Sequence, residues 1–203
     1  GDEITPDTSL RYGWQSRRLK SARQGGQEAL LFYLEKGENE LEFTVEKSSI
    51  LLGKVCVQSL PEYMAYEDYQ KVFPEVESAQ SMISLEAERV SWKNTTSTRP
   101  VATRDVEASP YLPNTKLMSV IGGSTWNENG QALYYEFEVP ATGWYSVALK
   151  YKQNDKANTV VRRTLTLDGE LPFAEAAGVL FESSPSWTVK EFGPLPVPAK
   201  GQV

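Results

Sequence analysis

The fold is decided by the stretch LYYEFEVPATGWYSVAL, residues 133–149. Apolar and polar side chains alternate through residues 133–139 and again through residues 144–149, which is the pattern of strands with one buried face. Between these halves stands PATG, residues 140–143, which is rich in turn-forming residues. The stretch therefore predicts two antiparallel strands joined by a tight turn.

The same two-residue period occurs in other short runs along the chain, at residues 30–34, 41–45 and 160–167. Turn-forming pairs such as Asn129-Gly130 and Asp168-Gly169 separate or follow these runs. Many short strands with turn residues between them are typical of an antiparallel sandwich. We therefore predict an all-β fold, an antiparallel jelly-roll β-sandwich with one short helix in a linker.

The predicted helix lies at residues 61–73, with Pro61 suited to its first turn and Pro74 ending it. Its aromatic residues recur at helical spacing, at Tyr63, Tyr66, Tyr69 and Phe73. Such a stripe is either a sugar-binding surface or a face that packs against the sheet. The helical period favours packing.

Composition excludes several classes of function. The sequence has no His, which removes the commonest general base and metal ligand near neutral pH. Its net charge of −6 provides no electrostatic basis for binding nucleic acid, and no apolar run approaches the roughly 18 residues of a membrane span. The single Cys56 lies in an apolar run and is interpreted as a small buried hydrophobic residue.

Four motifs in a fixed order resemble carbohydrate-binding modules of families 6 and 35: LEAE at residues 85–88, GGSTW at 122–126, YEFEVPATGWY at 135–145 and LDGE at 167–170. A closer resemblance links FYLEKG at 32–37, YKQN at 151–154 and DGELPFAEA at 168–176 to tandem modules on extracellular sugar-binding proteins of Gram-positive ABC importers. The resemblance implies a galactose-binding-like jelly roll. It also implies a non-catalytic role in sugar transport, on a lipoprotein that is extracellular or anchored at the cell surface.

The position of FYLEKG predicts the domain organisation. In the modules that this chain resembles, the motif comes late, whereas here it precedes the LEAE strand. The resemblance therefore implies that residues 1–60 are the C-terminal strands of a first module, 61–81 a helix and linker, and 82–203 a main module lacking its last strands. The two parts could complete one sandwich within one chain or exchange strands with a second copy, and we favour completion within one chain.

Glu86 and Glu88 are the candidate metal ligands. In a strand they would point to the same face about 7 Å apart, and either a hard cation or exposure to solvent at an edge would relieve their repulsion. The resemblance implies a structural calcium ion at these two residues. The predicted last strand, residues 50–58, departs from the family pattern because it holds no acidic partner.

A sugar site needs an aromatic face and polar groups for the hydroxyls. Trp126, in the loop at residues 122–130, is the leading candidate, although a tryptophan in a loop can equally cover the core. Tyr111 lies in a Pro-bounded loop that would form another side of the same site. Asn154 and Arg162, near strand ends, are candidates for polar contacts or are solvated residues.

Three functional hypotheses follow. The first is a carbohydrate-binding module of a sugar-uptake protein, and the second is a structural spacer or protein-interaction sandwich without a sugar ligand. The third, a glycosidase, is disfavoured because no carboxylate pair can be singled out among 27 acidic residues. We predict the first.

Overall fold

The computed structural model divides the chain into two units, each described by itself. One unit is formed by Asp7–Leu60, and the other by Gly1–Pro6 with Pro61–Val203. The residues that the structure describes are 9–10, 19, 30–44, 51–59, 62–73, 77–78, 80–154, 158–197 and 201–202.

Ten strands and one α-helix are present among the described residues, all of them in the second unit. The helix α1 is Tyr66–Val72, and the strands are β1 Trp92–Lys93, β2 Pro100–Thr103, β3 Leu117–Ile121, β4 Leu133–Tyr134, β5 Glu136–Phe137, β6 Gly143–Gln153, β7 Val161–Arg163, β8 Val179–Phe181, β9 Ser184–Val197 and β10 Gly201–Gln202. They pair antiparallel as β1–β4, β2–β3, β5–β10, β6–β9 and β7–β8. The predicted all-β class is confirmed, whereas closure into a jelly-roll sandwich stays a prediction.

The longest pair is formed by β6 and β9. Its register places Leu149 opposite Lys190 and Lys150 opposite Val189, with irregularities between Tyr145 and Val147 and again after Tyr151. Directly opposed residues share a face of an antiparallel pair, so successive residues of β6 alternate between the two faces. The strand predicted at residues 144–149 lies within β6, and the one predicted at 133–139 forms the two short strands β4 and β5.

The core of this unit is small and is completed by α1. Val139, Phe173 and Ala176 are buried at its centre. Tyr66 and Tyr69 of α1 place their rings 4.9 and 5.4 Å from the ring of Phe173. The backbone N–H of Tyr66 donates to the Glu175 carboxylate at 3.0 Å, and the N–H of Ala174 donates to the Met64 carbonyl at 2.9 Å. The prediction of a packing face is therefore confirmed, because Tyr66 and Tyr69 of the helix pack against the core of this unit.

The predicted strand through Glu86 and Glu88 is wrong. These residues lie in a turn in which the N–H of Arg89 donates to the carbonyl of Glu86 at 2.9 Å. The Tyr135 hydroxyl donates to the Ala87 carbonyl at 2.7 Å. This backbone hydrogen bond lies within the turn and does not pair two strands. The alternation of faces along a strand therefore does not apply to the Glu86 and Glu88 carboxylates.

The strand predicted at residues 160–167 is shorter than expected. Only Val161–Arg163 pairs as β7, and the backbone N–H of Leu165 then donates to the Ala176 carbonyl. The Asp168-Gly169 turn is present as predicted. Both residues have positive φ, 51° and 84°, and Leu167 and Glu170 exchange backbone hydrogen bonds across them.

The first unit differs from the sequence prediction in two respects. No strand is assigned within residues 30–44 or 51–59, and Val45 lies outside the described residues. The side chains of Leu31, Phe32 and Tyr33 are exposed, as is Cys56, so the interpretation of this cysteine as a buried residue is wrong. An apolar pattern shows which face would be buried, but a strand also needs a partner for its backbone groups.

Candidate functional site

A polar cleft lies between the loop that joins β1 to β2 and the loop that joins β3 to β4. Its volume is about 370 Å³. Every side chain that lines it carries a hydroxyl, amide or charged group: Thr96, Ser97, Arg99, Ser124, Thr125, Asn127, Glu128 and Gln131. This lining can bond a ligand that presents several hydroxyl groups.

The first side of the cleft is held by a buried threonine. Thr98 has no exposed surface, and its hydroxyl lies 3.1 Å from that of Thr95. The Lys93 ammonium donates to the Thr98 carbonyl. Thr96 and Ser97, which precede the buried Thr98, are exposed and line the cleft.

The second side begins with a single 3₁₀ turn, Gly123–Thr125. The preceding Gly122 has φ 109°, and a Cβ placed there would lie 3.4 Å from the Trp126 ring, so glycine suits the position in both conformation and space. The Thr125 hydroxyl accepts from the Arg99 N–H at 3.3 Å and lies 2.9 Å from the Gly122 carbonyl. Thr125 therefore joins the two sides of the cleft.

The Gln131 side chain makes three hydrogen bonds within the cleft. Its amide oxygen accepts from the Glu128 N–H at 2.9 Å, and its amide nitrogen donates to the Ser97 hydroxyl at 2.9 Å and to the Thr125 carbonyl at 3.3 Å. Asn94 adds a second link, donating to the Gly130 carbonyl and accepting from the Ala132 N–H. These side-chain bonds fix the cleft's shape before any ligand arrives.

Trp126 lies beside the cleft and is not one of its lining residues. Its indole N–H donates to the Gln131 carbonyl at 3.1 Å. The guanidinium carbon of Arg163 lies 4.5 Å from the centroid of the ring, and the same guanidinium donates to the Trp126 carbonyl at 3.2 Å. The half-buried ring is thus engaged by protein groups, and a role as a sugar platform stays a prediction.

Arg163 is the residue of this region that the sequence did not indicate. Burial lowers the pKa of its guanidinium. It is 37 residues from Trp126 along the chain, and no motif links the two positions. Arg163 lies in β7 and Trp126 follows the 3₁₀ turn after Gly122, so the two side chains meet through the tertiary fold.

The other predicted ligand residues lie at separate places. Tyr111, 40% exposed, is in the loop between β2 and β3, and the exposed Asn154 follows β6. Arg162 in β7 extends past Gly178. In the described part of the chain, no hydrogen bond, ion pair or ring contact joins any two of Tyr111, Trp126, Asn154 and Arg162, so the structure does not gather them into one site.

The two candidate calcium ligands, Glu86 and Glu88, are partly buried in their turn. Burial, and after it the carboxylate of Glu88, raise the pKa of Tyr135 to about 12. Within the residues that the structure describes, no group of three or more Cys, Asp or Glu side chains is gathered as a metal site. Two carboxylates fall short of the 6–8 oxygens that calcium takes, and calcium binding stays a prediction.

A second polar cluster fixes the loop after β2 to the β6–β9 pair. Asp105 accepts from the Trp187 indole N–H at 2.9 Å, from Lys152 at 3.2 Å and from the Glu107 N–H at 3.1 Å. The bond from Glu107, then those from Trp187 and Lys152, hold the pKa of Asp105 below its ordinary value. The Lys150 ammonium lies 5.8 Å from the centroid of the Trp187 ring. Since these groups satisfy one another, the cluster is a structural contact.

Comparison with family models, with curated proteins and with solved structures finds no match for this chain. Over the described residues there is also no helix with the length and apolar character of a membrane span. The geometry of the cleft is therefore the basis for assigning a function.

Proposed function

We propose that the chain is a non-catalytic carbohydrate-binding module of an extracellular bacterial sugar-uptake protein, and that the polar cleft holds the sugar. The observation that carries this proposal is a lining made entirely of hydroxyl, amide and charged side chains, held in place by Gln131. A sugar presents hydroxyls in many directions, and amides and charged groups are the partners that bond them. The proposal includes closure of the strands into a jelly-roll sandwich.

The content of the cleft favours binding over catalysis. Glu128 is the one carboxylate among the lining residues, whereas glycosidases generally use a pair. Arg99 supplies a fixed positive charge, and no described residue forms an ion pair with either Arg99 or Glu128. Both groups are therefore available to a ligand.

One observation favours the second candidate, a spacer or protein-interaction module. No aromatic ring is among the described residues that line the cleft, and Arg163 lies over the ring of the neighbouring Trp126. Sugar-binding sites commonly stack a ring against the apolar side of a pyranose. A cleft without such a ring binds through hydrogen bonds alone, and this predicts weak binding.

The test is a glycan-array screen, followed by calorimetric titration of the strongest binder with and without calcium. Asn127→Ala removes a lining amide, and we expect affinity to fall about tenfold, the worth of one good hydrogen bond. Asn129→Ala is the matched control, because this exposed residue is in the same loop and outside the lining. Trp126→Ala is tested in the same way and measures the contribution of the indole ring to glycan affinity.

The outcomes separate the candidates. Binding that is weakened by Asn127→Ala and unchanged by Asn129→Ala places the ligand in the cleft. Equal losses of glycan affinity in the two variants would mean that the ligand binds outside the cleft. If the folded parent protein binds no glycan, the spacer function replaces the sugar-binding one.

A further inference from the structure

Arg163 occupies an unusual position for a charged side chain. It is half-buried in β7, and its guanidinium donates to the carbonyls of Arg162 at 2.9 Å and Trp126 at 3.2 Å. The guanidinium also lies over the face of the Trp126 ring. In the described part of the chain, no carboxylate forms an ion pair with it. Removing a guanidinium from water costs free energy. Hydrogen bonds to carbonyls and the attraction to a ring face offset this cost only when the groups are well placed.

A short series of contacts leads from Arg163 to the cleft. The guanidinium covers Trp126, the Trp126 indole donates to the backbone of Gln131, and the Gln131 side chain bonds Ser97 and Glu128. Arg163 itself is not a lining residue. Its contacts with Trp126, and those of Trp126 with Gln131, connect it to the lining residues.

We propose that Arg163 is a positioning residue of the cleft, which fixes Trp126 and thereby holds the Gln131 amide in the orientation that a ligand meets. The proposal rests on the proposed function for its effect on affinity, although its effect on Gln131 does not require a ligand. It explains why a tryptophan stands in a loop beside a site that contains no aromatic lining.

The experiment compares Arg163→Met with Arg163→Lys and with the parent. Methionine keeps the volume and removes the charge and the donors, whereas lysine keeps the charge and loses the planar fork. Arg104→Met is the matched control, because Arg104 is an exposed arginine outside the cleft lining and the substitution is the same. The ligand-free measurement is NMR of the Trp126 indole N–H and the Gln131 side-chain amide, and the second is the affinity for the strongest array glycan.

We expect Arg163→Met to shift both resonances and to weaken glycan affinity about tenfold, mainly through faster dissociation. Arg163→Lys should restore part of the affinity, and Arg104→Met should change neither measurement. A general structural effect would instead move the thermal unfolding midpoint and resonances throughout the unit. If Arg163→Met does not fold, the same comparison is made with Arg163→Lys.

Three results would overturn the proposal: unchanged Gln131 resonances in both Arg163 variants, equal shifts in Arg104→Met, or a glycan affinity in both Arg163 variants that equals the parent's. If the parent protein binds no glycan, the proposed function fails, and the two resonances alone decide the role of Arg163. If glycan binds and the Arg163 variants bind it as tightly as the parent, the positioning role fails while the proposed function stands.

Discussion

Asp105 receives hydrogen bonds from its own loop, from β6 and from β9. Its pKa in the folded protein lies below the ordinary 3.8, because the ionised carboxylate is the form that accepts these bonds. The stabilisation is therefore fully present above the pKa of the unfolded chain, and it is lost as the pH falls through the lower folded value.

We predict that the Trp187 indole N–H resonance titrates with a midpoint below pH 3.8, and that Asp105→Asn abolishes this titration. The measurement is NMR between pH 7 and pH 2. Asp68→Asn is the control, since Asp68 forms an exposed ion pair with Lys71 on the surface of α1. A midpoint at or above the ordinary value, or loss of the titration in the control, would contradict the prediction.

At the level of single residues, the sequence predicts which loop carries a candidate residue better than it predicts which side chains that residue contacts. The composition of the loop at residues 122–130 singled out Trp126, and this loop does border the cleft. The stack with Arg163 and the bonds of Asp105 to Trp187 were not predicted, because they join segments 37 and 82 residues apart. The pattern of neighbouring residues in the sequence does not indicate such contacts, because they form between distant segments of the folded chain.

At the level of elements, α1 is the clearest case of a local pattern that predicts packing. Tyr69 contacts Phe73, Trp144 and Phe173, with ring centroids 5.9, 6.1 and 5.4 Å apart. We predict that Tyr69→Ala lowers the free energy of unfolding by about 2 kcal/mol, the lower range for a large-to-small change at a partly buried site. Urea denaturation followed by near-ultraviolet circular dichroism measures this loss.

Lys71→Ala on the same helix provides the comparison. Lys71 and its partner Asp68 are both mostly exposed, so losing their ion pair should cost less than about 0.5 kcal/mol. Equal effects of the two substitutions would mean that the aromatic face of α1 contributes no packing energy.

Elements whose pattern needs no distant partner were predicted best. The helix was expected at residues 61–73 and is found at Tyr66–Val72, and the Asp168-Gly169 turn has the positive φ angles that its residue types favour. The strand expected through Glu86 and Glu88 does not form, because the backbone N–H of Arg89 donates to the Glu86 carbonyl in a turn. Alternation is compatible with a strand, but it does not exclude a turn that satisfies the same groups.

At the scale of the whole molecule, the main question is what covers the apolar run of the first unit. Leu31, Phe32 and Tyr33 are 69%, 61% and 89% exposed, and they are consecutive. A contiguous exposed apolar segment promotes association, whereas single exposed apolar residues are ordinary at a protein surface. Strand exchange with a second copy, one of the two arrangements that the sequence predicts, would cover this run.

We predict that the protein associates with itself as its concentration rises, through this run, and that Phe32→Asp shifts the equilibrium to the monomer by placing a charge in the contact. Light scattering coupled to size-exclusion chromatography measures the mass over a concentration series. Val106→Asp is the matched control: Val106 is 70% exposed, but it stands alone between Asp105 and Glu107. Because the two substitutions change net charge equally, a dissociation seen only with Phe32→Asp cannot come from general repulsion. A parent protein that stays monomeric at every concentration, or equal dissociation by the two variants, would mean that the run contributes nothing to association.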